Sequence, residues 1–425
     1  MSEARVSPAA TGFASLKGYP LKAFAICLIA YAFAQMDLAL FGYAIPSIRE
    51  EFDLSLPGVM GIVSVAFLIG GALLMALAVL TDRLGRRSMF QLSFIGSSIL
   101  VVLHALAPNP ATLTALRGSS IAVGGLSYPI TGAVISEEFP ARFRGLFLGL
   151  LQIGYPLGWF LASLWAAWLL TDYGWRALFL VGFVSIPFLW VINKVIREPA
   201  RFTAARQAGQ KARIADLFRD GMASRTTILF LAQFLFVWAY AGSIFLFPSF
   251  LEEDRGLSRA AYSLFIGVGN LVGVLGYIGA AVVGEFVLNR RDTVVIWTLA
   301  GAAAFQWLIW GPEDYTGSLV AYCVMAMFFY GTAAAKFAYI AEIFPTHLRA
   351  TGVAFCGSLA VTLGSASGPL TASYAVEAAG WELGLAVVIG APLVIAGLLY
   401  FLLARIPSGL EVEAVQSYLN KEKAQ

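Results

Sequence analysis

The sequence predicts an all-α membrane protein with twelve transmembrane helices arranged as two parallel six-helix repeats. Three observations lead there. Hydrophobic residues make up 59% of the 425 and charged residues only 12%, with a mean hydropathy of +0.79, whereas a soluble domain is about a quarter charged. Apolar runs of about 20 residues, enough to cross about 30 Å of hydrocarbon, recur along the whole chain. Two short stretches of the first half return in the second at nearly the same offset. The first two observations exclude a soluble enzyme, a nucleic-acid-binding protein and a disordered scaffold.

The expected spans are 22–46, 57–80, 88–107, 111–136, 146–170, 176–194, 226–250, 260–285, 293–311, 317–341, 350–375 and 383–404. Backbone groups in lipid must be satisfied within each segment, and runs this long suit helices rather than the short alternating strands of a barrel. The first 20 residues carry Arg5 and Lys17 but no apolar core of signal-peptide length, so the amino terminus is expected to stay attached and cytoplasmic. Twelve crossings return the carboxyl terminus to the same side. On that topology 22 of the 28 Lys and Arg are cytoplasmic, Arg117 and Lys336 lie within spans, and only Arg49, Arg176, Arg255 and Arg259 fall in outer loops. Acids such as Glu50, Glu51, Glu252, Glu253, Glu313 and Asp314 gather outside instead. That asymmetry is the positive-inside pattern. Cys27, Cys323 and Cys356 each sit in an apolar run and read as small buried hydrophobes rather than a disulfide or metal framework.

The internal duplication is carried by two matches. Glu137-Glu138-Phe139-Pro140-Ala141-Arg142-Phe143-Arg144 returns as Glu342-Ile343-Phe344-Pro345-Thr346-His347-Leu348-Arg349, 205 positions on. Pro46-Ser47-Ile48-Arg49-Glu50-Glu51 returns as Pro248-Ser249-Phe250-Leu251-Glu252-Glu253, 202 positions on. The expected organisation is an amino-terminal bundle over 1–196, a charged cytoplasmic linker over 197–225 and a carboxy-terminal bundle over 226–425, with a site between the bundles.

The link between spans 2 and 3, Ala78-Val79-Leu80-Thr81-Asp82-Arg83-Leu84-Gly85-Arg86-Arg87, resembles the signature loop of the major facilitator superfamily, in which Ala78 replaces the usual first glycine. The second-half copy, around Asn289-Arg290-Arg291, is degenerate. The resemblance implies the major facilitator fold and a conformational latch for the outward-facing state. Its expected members are Asp82, Arg83, Gly85, Arg86 and Arg87, with Glu137, Arg144, Glu342 and Arg349 on the neighbouring loops. Anchoring by positive charge alone would explain the arginines but not the fixed Asp and Gly. The segment from Asp37 to Pro46 is similar to the first helix of the aromatic-acid and related metabolite proton symporters, with Ala34 and Gln35 in place of that motif's first Asp and its Gly. Arg197-Glu198-Pro199-Ala200-Arg201-Phe202 resembles an element of the sugar porters.

An ionisable side chain inside a span costs several kcal/mol unless paired or hydrated, which makes it a functional candidate. Asp37 and Arg117 lie at similar depth, about 13 Å and slightly less below the outer helix ends at 1.5 Å per residue. They are expected to form the proton-coupling pair, or else a fixed structural ion pair. Lys336, sharing a helix face with Phe329 and Thr332, is expected either to bind a carboxylate in a cavity or to extend its stem towards the membrane surface. Glu285 is read as an interfacial partner for Arg290 or Arg291, and His104 as a satisfied interface histidine. Helical spacing also aligns Arg117, Ile121, Gly124, Tyr128 and Thr131 on span 4, Gln152, Tyr155 and Trp159 on span 5, Gln233 and Tyr240 on span 7, and Asn270 and Tyr277 on span 8. Together they would offer a few donors and acceptors among rings, which suits a small, partly apolar metabolite, although polar residues also join helices and rings also fill space.

What residues and resemblance together imply is a proton-coupled secondary transporter taking up a small organic acid or aromatic carboxylate by alternating access. Proton-coupled sugar or polyol symport and proton-driven drug or metabolite export are the alternatives. A membrane enzyme or sensor finds no support, since no hydrolase or metalloprotease motif and only two histidines are present. No nucleotide loop, cofactor or metal site is expected. The expected partners are substrate, protons and the lipid bilayer, with a monomer in the bacterial inner membrane as the working unit.

Overall fold

The computed structural model describes residues 18–84, 86–188, 190, 194, 213–219, 221–345 and 348–406. Within the helices, the side chains of 78–84, 86, 87, 128, 129, 133, 136, 137, 141, 142, 144 and 350 lie outside that description. Among the described residues nine helices are long and apolar enough to cross a membrane. They supply span 1 (Tyr19–Glu51), span 2 (Leu56–Leu84), span 5 (Gly145–Leu169), span 7 (Ala223–Glu253), span 8 (Arg259–Phe286), span 9 (Arg290–Trp310), span 10 (Tyr315–Glu342), span 11 (Val353–Ala379) and span 12 (Trp381–Phe401). The other three expected spans are occupied by shorter or broken helices. Span 3 is Arg86–His104, span 4 is Pro110–Gly125 followed by Ser127–Glu138, and span 6 is Gly174–Phe179 tightening into a 3₁₀ segment, Leu180–Ser185.

Several helix starts follow from local sequence. Asn109 accepts from the Thr112 N–H with Pro110 in the first turn, Ser258 from Ala261, Asn289 from Asp292 and Asp314 from Gly317. Each side chain satisfies a backbone N–H that the helix itself leaves unpaired. Span 1 runs five residues past its expected end at 46, because Arg49, Glu50 and Glu51 in its last turn all find ion-pair partners. Wide π-type turns interrupt spans 10, 11 and 12 at Ala326–Tyr330, Val353–Leu359 and Ala386–Gly390.

Within each set of six helices, glycines bring backbone against backbone. A β-carbon built on Gly158 would stand 2.4 Å from the Ala32 carbonyl oxygen of span 1, one on Gly276 1.7 Å from that of Met327, and one on Gly368 2.2 Å from that of Trp238. Three glycines between the two sets meet side chains. Gly71 faces the Thr362 methyl, Gly267 the Ser163 hydroxyl and Gly145 the Arg290 guanidinium.

The two ends of the bundle are fastened differently. At the end formed by the turns after spans 1, 3, 5, 7, 9 and 11, Arg49 pairs with Glu253 and Glu50 with Arg259, a reciprocal exchange between the halves. Tyr262 adds a hydroxyl bond of 3.0 Å to the Tyr43 carbonyl. Arg176 pairs with Glu51, which also accepts from the Trp175 indole at 2.7 Å, and Arg255 lies against Asp254 and Glu382. All four arginines expected at the outer end therefore have acidic partners. At the opposite end, Arg290 bridges Glu285 and Glu342 while resting against the backbone of Gly145 on span 5.

Candidate functional site

The interior of the bundle holds the ionisable residues of the spans. Asp37, on span 1, is almost wholly buried. Its Oδ2 accepts a 2.9 Å hydrogen bond from Ser98 of span 3, and its Oδ1 has no hydrogen-bond partner among the described residues. Arg117 reaches the same region from span 4, close enough for an electrostatic interaction with Asp37. It does not form the direct ion pair the sequence suggests. The guanidinium donates to the Leu38 carbonyl at 2.8 Å and lies 4.5 Å from the centre of the Phe41 ring. Arg117 thus grips the backbone beside Asp37 and leaves the carboxylate available. His104 uses Nδ1 against the Leu100 carbonyl, 2.7 Å away, and lies tilted against the Phe179 ring, but it is fully buried and its Nε2 has no hydrogen-bond partner among the described residues, so it is a core histidine and not the satisfied interface one expected.

On the other side of the molecular centre, Lys336 is 2% exposed. Its ammonium stands 3.7 Å from the centre of the Phe236 ring, and among the described residues it forms no salt bridge or hydrogen bond. The stem does not extend to the surface, which removes the snorkelling alternative. A cation over an aromatic face is partly compensated by the ring quadrupole, but an anion would compensate it better.

Rings connect the two sides. Tyr155 stacks on Trp159 with centroids 6.2 Å apart and meets Tyr240 of span 7 edge-on at 5.7 Å. Tyr240 in turn contacts Tyr330, 4.9 Å away in the wide turn of span 10, and Phe329. Tyr155 and Tyr240 are only half-buried despite their central position, which marks space beside them. Within this array Tyr155 interacts through hydrogen bonds with Tyr240 and Trp159, and Tyr322 with Tyr330; among the described residues Gln35 Oε1, Gln233 Nε2 and Asn270 Oδ1 are buried without a hydrogen-bond partner. Buried polar atoms are normally satisfied, so an unsatisfied one can be met by a guest that brings its own donors and acceptors.

The predicted residues do not all meet there. Gln233 turns its carbonyl oxygen to the Tyr400 hydroxyl of span 12, 3.0 Å away, rather than following Tyr240 towards span 5. Asn270 donates to its own helix at Ile266, 2.9 Å away, and Gln152 is buried at the turn that divides span 5. On span 4, Ile121 packs against Gly70 and Gly124 against Ser97, so these two face neighbouring helices. Glu285 does pair with Arg290, and Glu342 joins them, with Arg349 near enough to act on Glu342 electrostatically. Gly85 and the side chains of Asp82, Arg83, Arg86, Arg87, Tyr128, Glu137 and Arg144 lie outside the described residues. Sequence reasoning missed Ser98, Phe236, Tyr330 and Tyr400, whose roles arise only from packing between helices. Among the described residues, no three His, Cys, Asp or Glu side chains converge as a metal site would require.

A bundle of apolar helices with buried Asp37, Arg117 and Lys336 and a run of aromatic rings across its interior has the make-up of a membrane transporter. Residues 27–335 match the family model of the Major Facilitator Superfamily, and the chain belongs to that family. It is similar to the cis,cis-muconate transport protein of Acinetobacter baylyi, with 28% identity over 91% of this chain and 93% of that one. It is also similar to the gallate transporter of Pseudomonas putida, with 28% identity over 78% and 80% of the two chains. The niacin transporter of Acinetobacter baylyi is 26% identical over 82% and 86%. A bacterial homologue of the human lysosomal transporter Spinster, solved inward-facing and unoccupied, shares the fold with a TM-score of 0.70 and 19% identity over 91% of this chain and 97% of that one. The chain is accordingly a multi-pass membrane transporter and not an enzyme.

Proposed function

We propose that the protein takes up a small organic acid, with aromatic carboxylates the best fit, in symport with protons across the bacterial inner membrane. The observation that carries this reading is Lys336, a buried ammonium over Phe236 with no acid beside it among the described residues. A carboxylate would supply the missing charge, and the Tyr155, Trp159 and Tyr240 rings would hold an apolar or aromatic body. Relatives named for muconate, gallate and niacin support the same class. Asp37 is the proton carrier, and Arg117 holds the backbone at Leu38 so that helix movement changes the distance between guanidinium and carboxylate. The bundles 1–196 and 226–425 rock about this centre as a monomer, joined by 197–225, with both termini cytoplasmic. The loop Asp82–Arg87, together with Glu137, Arg144, Glu342 and Arg349, latches the cytoplasmic end.

The test is uptake of labelled benzoates, small carboxylates and sugars into proteoliposomes, with and without an inward proton gradient. Wild type accumulates carboxylates on the gradient, and Asp37→Asn does not. Lys336→Gln raises the KM for acids about 10- to 150-fold, as expected from losing a charge-assisted bond of about 1.5–3 kcal/mol. Accumulation of sugars but not acids, or acid transport unchanged in Lys336→Gln, refutes the reading.

A further inference from the structure

Ser98 has one hydrogen to donate and two acceptors within reach. Its Oγ lies 2.9 Å from Asp37 Oδ2 and 3.0 Å from the Phe94 carbonyl oxygen. We propose that Ser98 is a positioning residue for the proton step, its hydroxyl turning between Asp37 and Phe94 according to whether Asp37 carries a proton. When Asp37 is a carboxylate, Ser98 donates to it. When Asp37 is protonated, its own O–H donates to a lone pair of Ser98, and the serine hydrogen turns to the Phe94 carbonyl. Both forms of the carboxyl group keep one hydrogen bond, and no heavy atom has to move.

The surroundings suit such a switch. Ser98 and Asp37 are both buried, so water does not compete for either. The Ser97 hydroxyl is 3.2 Å from the same Phe94 carbonyl and keeps that oxygen served while Ser98 faces Asp37. Arg117 of span 4 is the charged group acting on Asp37 among the described residues, and it is tethered to Leu38. Tyr155 of span 5 and His104 of span 3 act on Arg117 rather than on the carboxyl group directly. Among the described residues, Ser98 is therefore the side chain hydrogen-bonded to the Asp37 carboxyl group.

The inference rests on Asp37 being the proton carrier, and the experiment separates the two claims. Full-length protein in lipid is titrated by difference infrared spectroscopy, reading the protonated-carboxyl band that Asp37→Asn removes. A hydrogen bond to a charged acceptor is roughly twice as strong as one between neutral groups, so its loss penalises the carboxylate more than the acid. In Ser98→Ala the midpoint of the band rises by about half to one pH unit, and its frequency changes because the acid has lost its acceptor. Ser98→Cys, which preserves volume with a poor donor, moves the same way and stands in if the alanine variant does not fold. Ser98→Thr restores the wild-type midpoint. A purely structural serine would lower thermal stability while leaving midpoint and frequency fixed in all three variants. That result, or a downward shift, overturns the inference while leaving Asp37 as carrier. The absence of any titrating band lost in Asp37→Asn overturns both.

Discussion

Reversing one charge of the reciprocal clasp, Glu253→Arg, should open the end of the bundle that carries it. The Arg49 and Glu253 side chains are 29% and 38% exposed, and those of Arg259 and Glu50 28% and 72%. Solvent screening at such exposure limits each pair to about 0.2–1 kcal/mol. Glu253→Arg removes one attraction and sets two arginines face to face, a change of about 1–2 kcal/mol, which moves the ratio of closed to open forms about 5- to 30-fold. The assay is the distribution of distances between spin labels at Leu106 and Tyr315, exposed positions in opposite halves at that end, in a chain whose three cysteines are replaced. Adding Arg49→Glu to make the swapped pair should recover most of the closed population. Recovery stays incomplete because Arg49 also donates to the Leu54 carbonyl at 3.1 Å. Raising the salt to 1 M, where the screening length falls to about 3 Å, should shrink every difference. If the single reversal leaves the distribution unchanged, or the swap opens the end further, the clasp does not hold the halves together.

Two further tests address packing and the ring array. Gly276→Ala places a methyl group 1.7 Å from a backbone oxygen of span 10 and should destabilise the protein by about 1–3 kcal/mol or more, read as a lower melting temperature in detergent. Gly61→Ala, with nothing within 4 Å of the added carbon, should be neutral or slightly stabilising, since alanine is the better helix former. Under the proposed function Tyr155→Leu and Tyr240→Leu each take away a ring that an aromatic substrate would meet, an aromatic pair being worth about 0.5–1.5 kcal/mol, so the KM for benzoate should rise about 2- to 12-fold while that for an aliphatic acid stays near wild type. Equal losses for both acids in the uptake assay would show that the rings act only as packing.

Hydropathy placed the nine long spans of the described residues because lipid leaves the backbone so few choices, but not the breaks in spans 3, 4 and 6, and the repeated Pro-Ser and Glu-Phe-Pro stretches pointed to two halves. The charged residues of the interior were legible for the same reason: Asp37, Arg117 and Lys336 have no business in hydrocarbon unless used. Their partners were not legible. Depth along a helix correctly placed Arg117 beside Asp37, but only side-chain rotation decides that the guanidinium takes the Leu38 carbonyl. Helical spacing put Gln233 with Tyr240, yet packing against span 12 turned it to Tyr400. The wide turn that presents Tyr330 to Tyr240 has no sequence signal, since neither proline nor a charge marks it.

The contrast between glycine contacts inside and across the halves bears on how such a chain can diversify. Inside a half, a glycine such as Gly368 admits another backbone, and no side chain can replace it without prying helices apart. Across the halves, the Thr362 and Ser163 side chains are themselves the contact, so a smaller residue there would loosen the seam without a backbone having to move. Selection can therefore adjust how readily the halves part, and with it turnover at a given temperature, through substitutions that leave folding and the binding rings intact. A lineage moved to a colder or warmer habitat, or to a scarcer nutrient, has its adjustable positions along that seam.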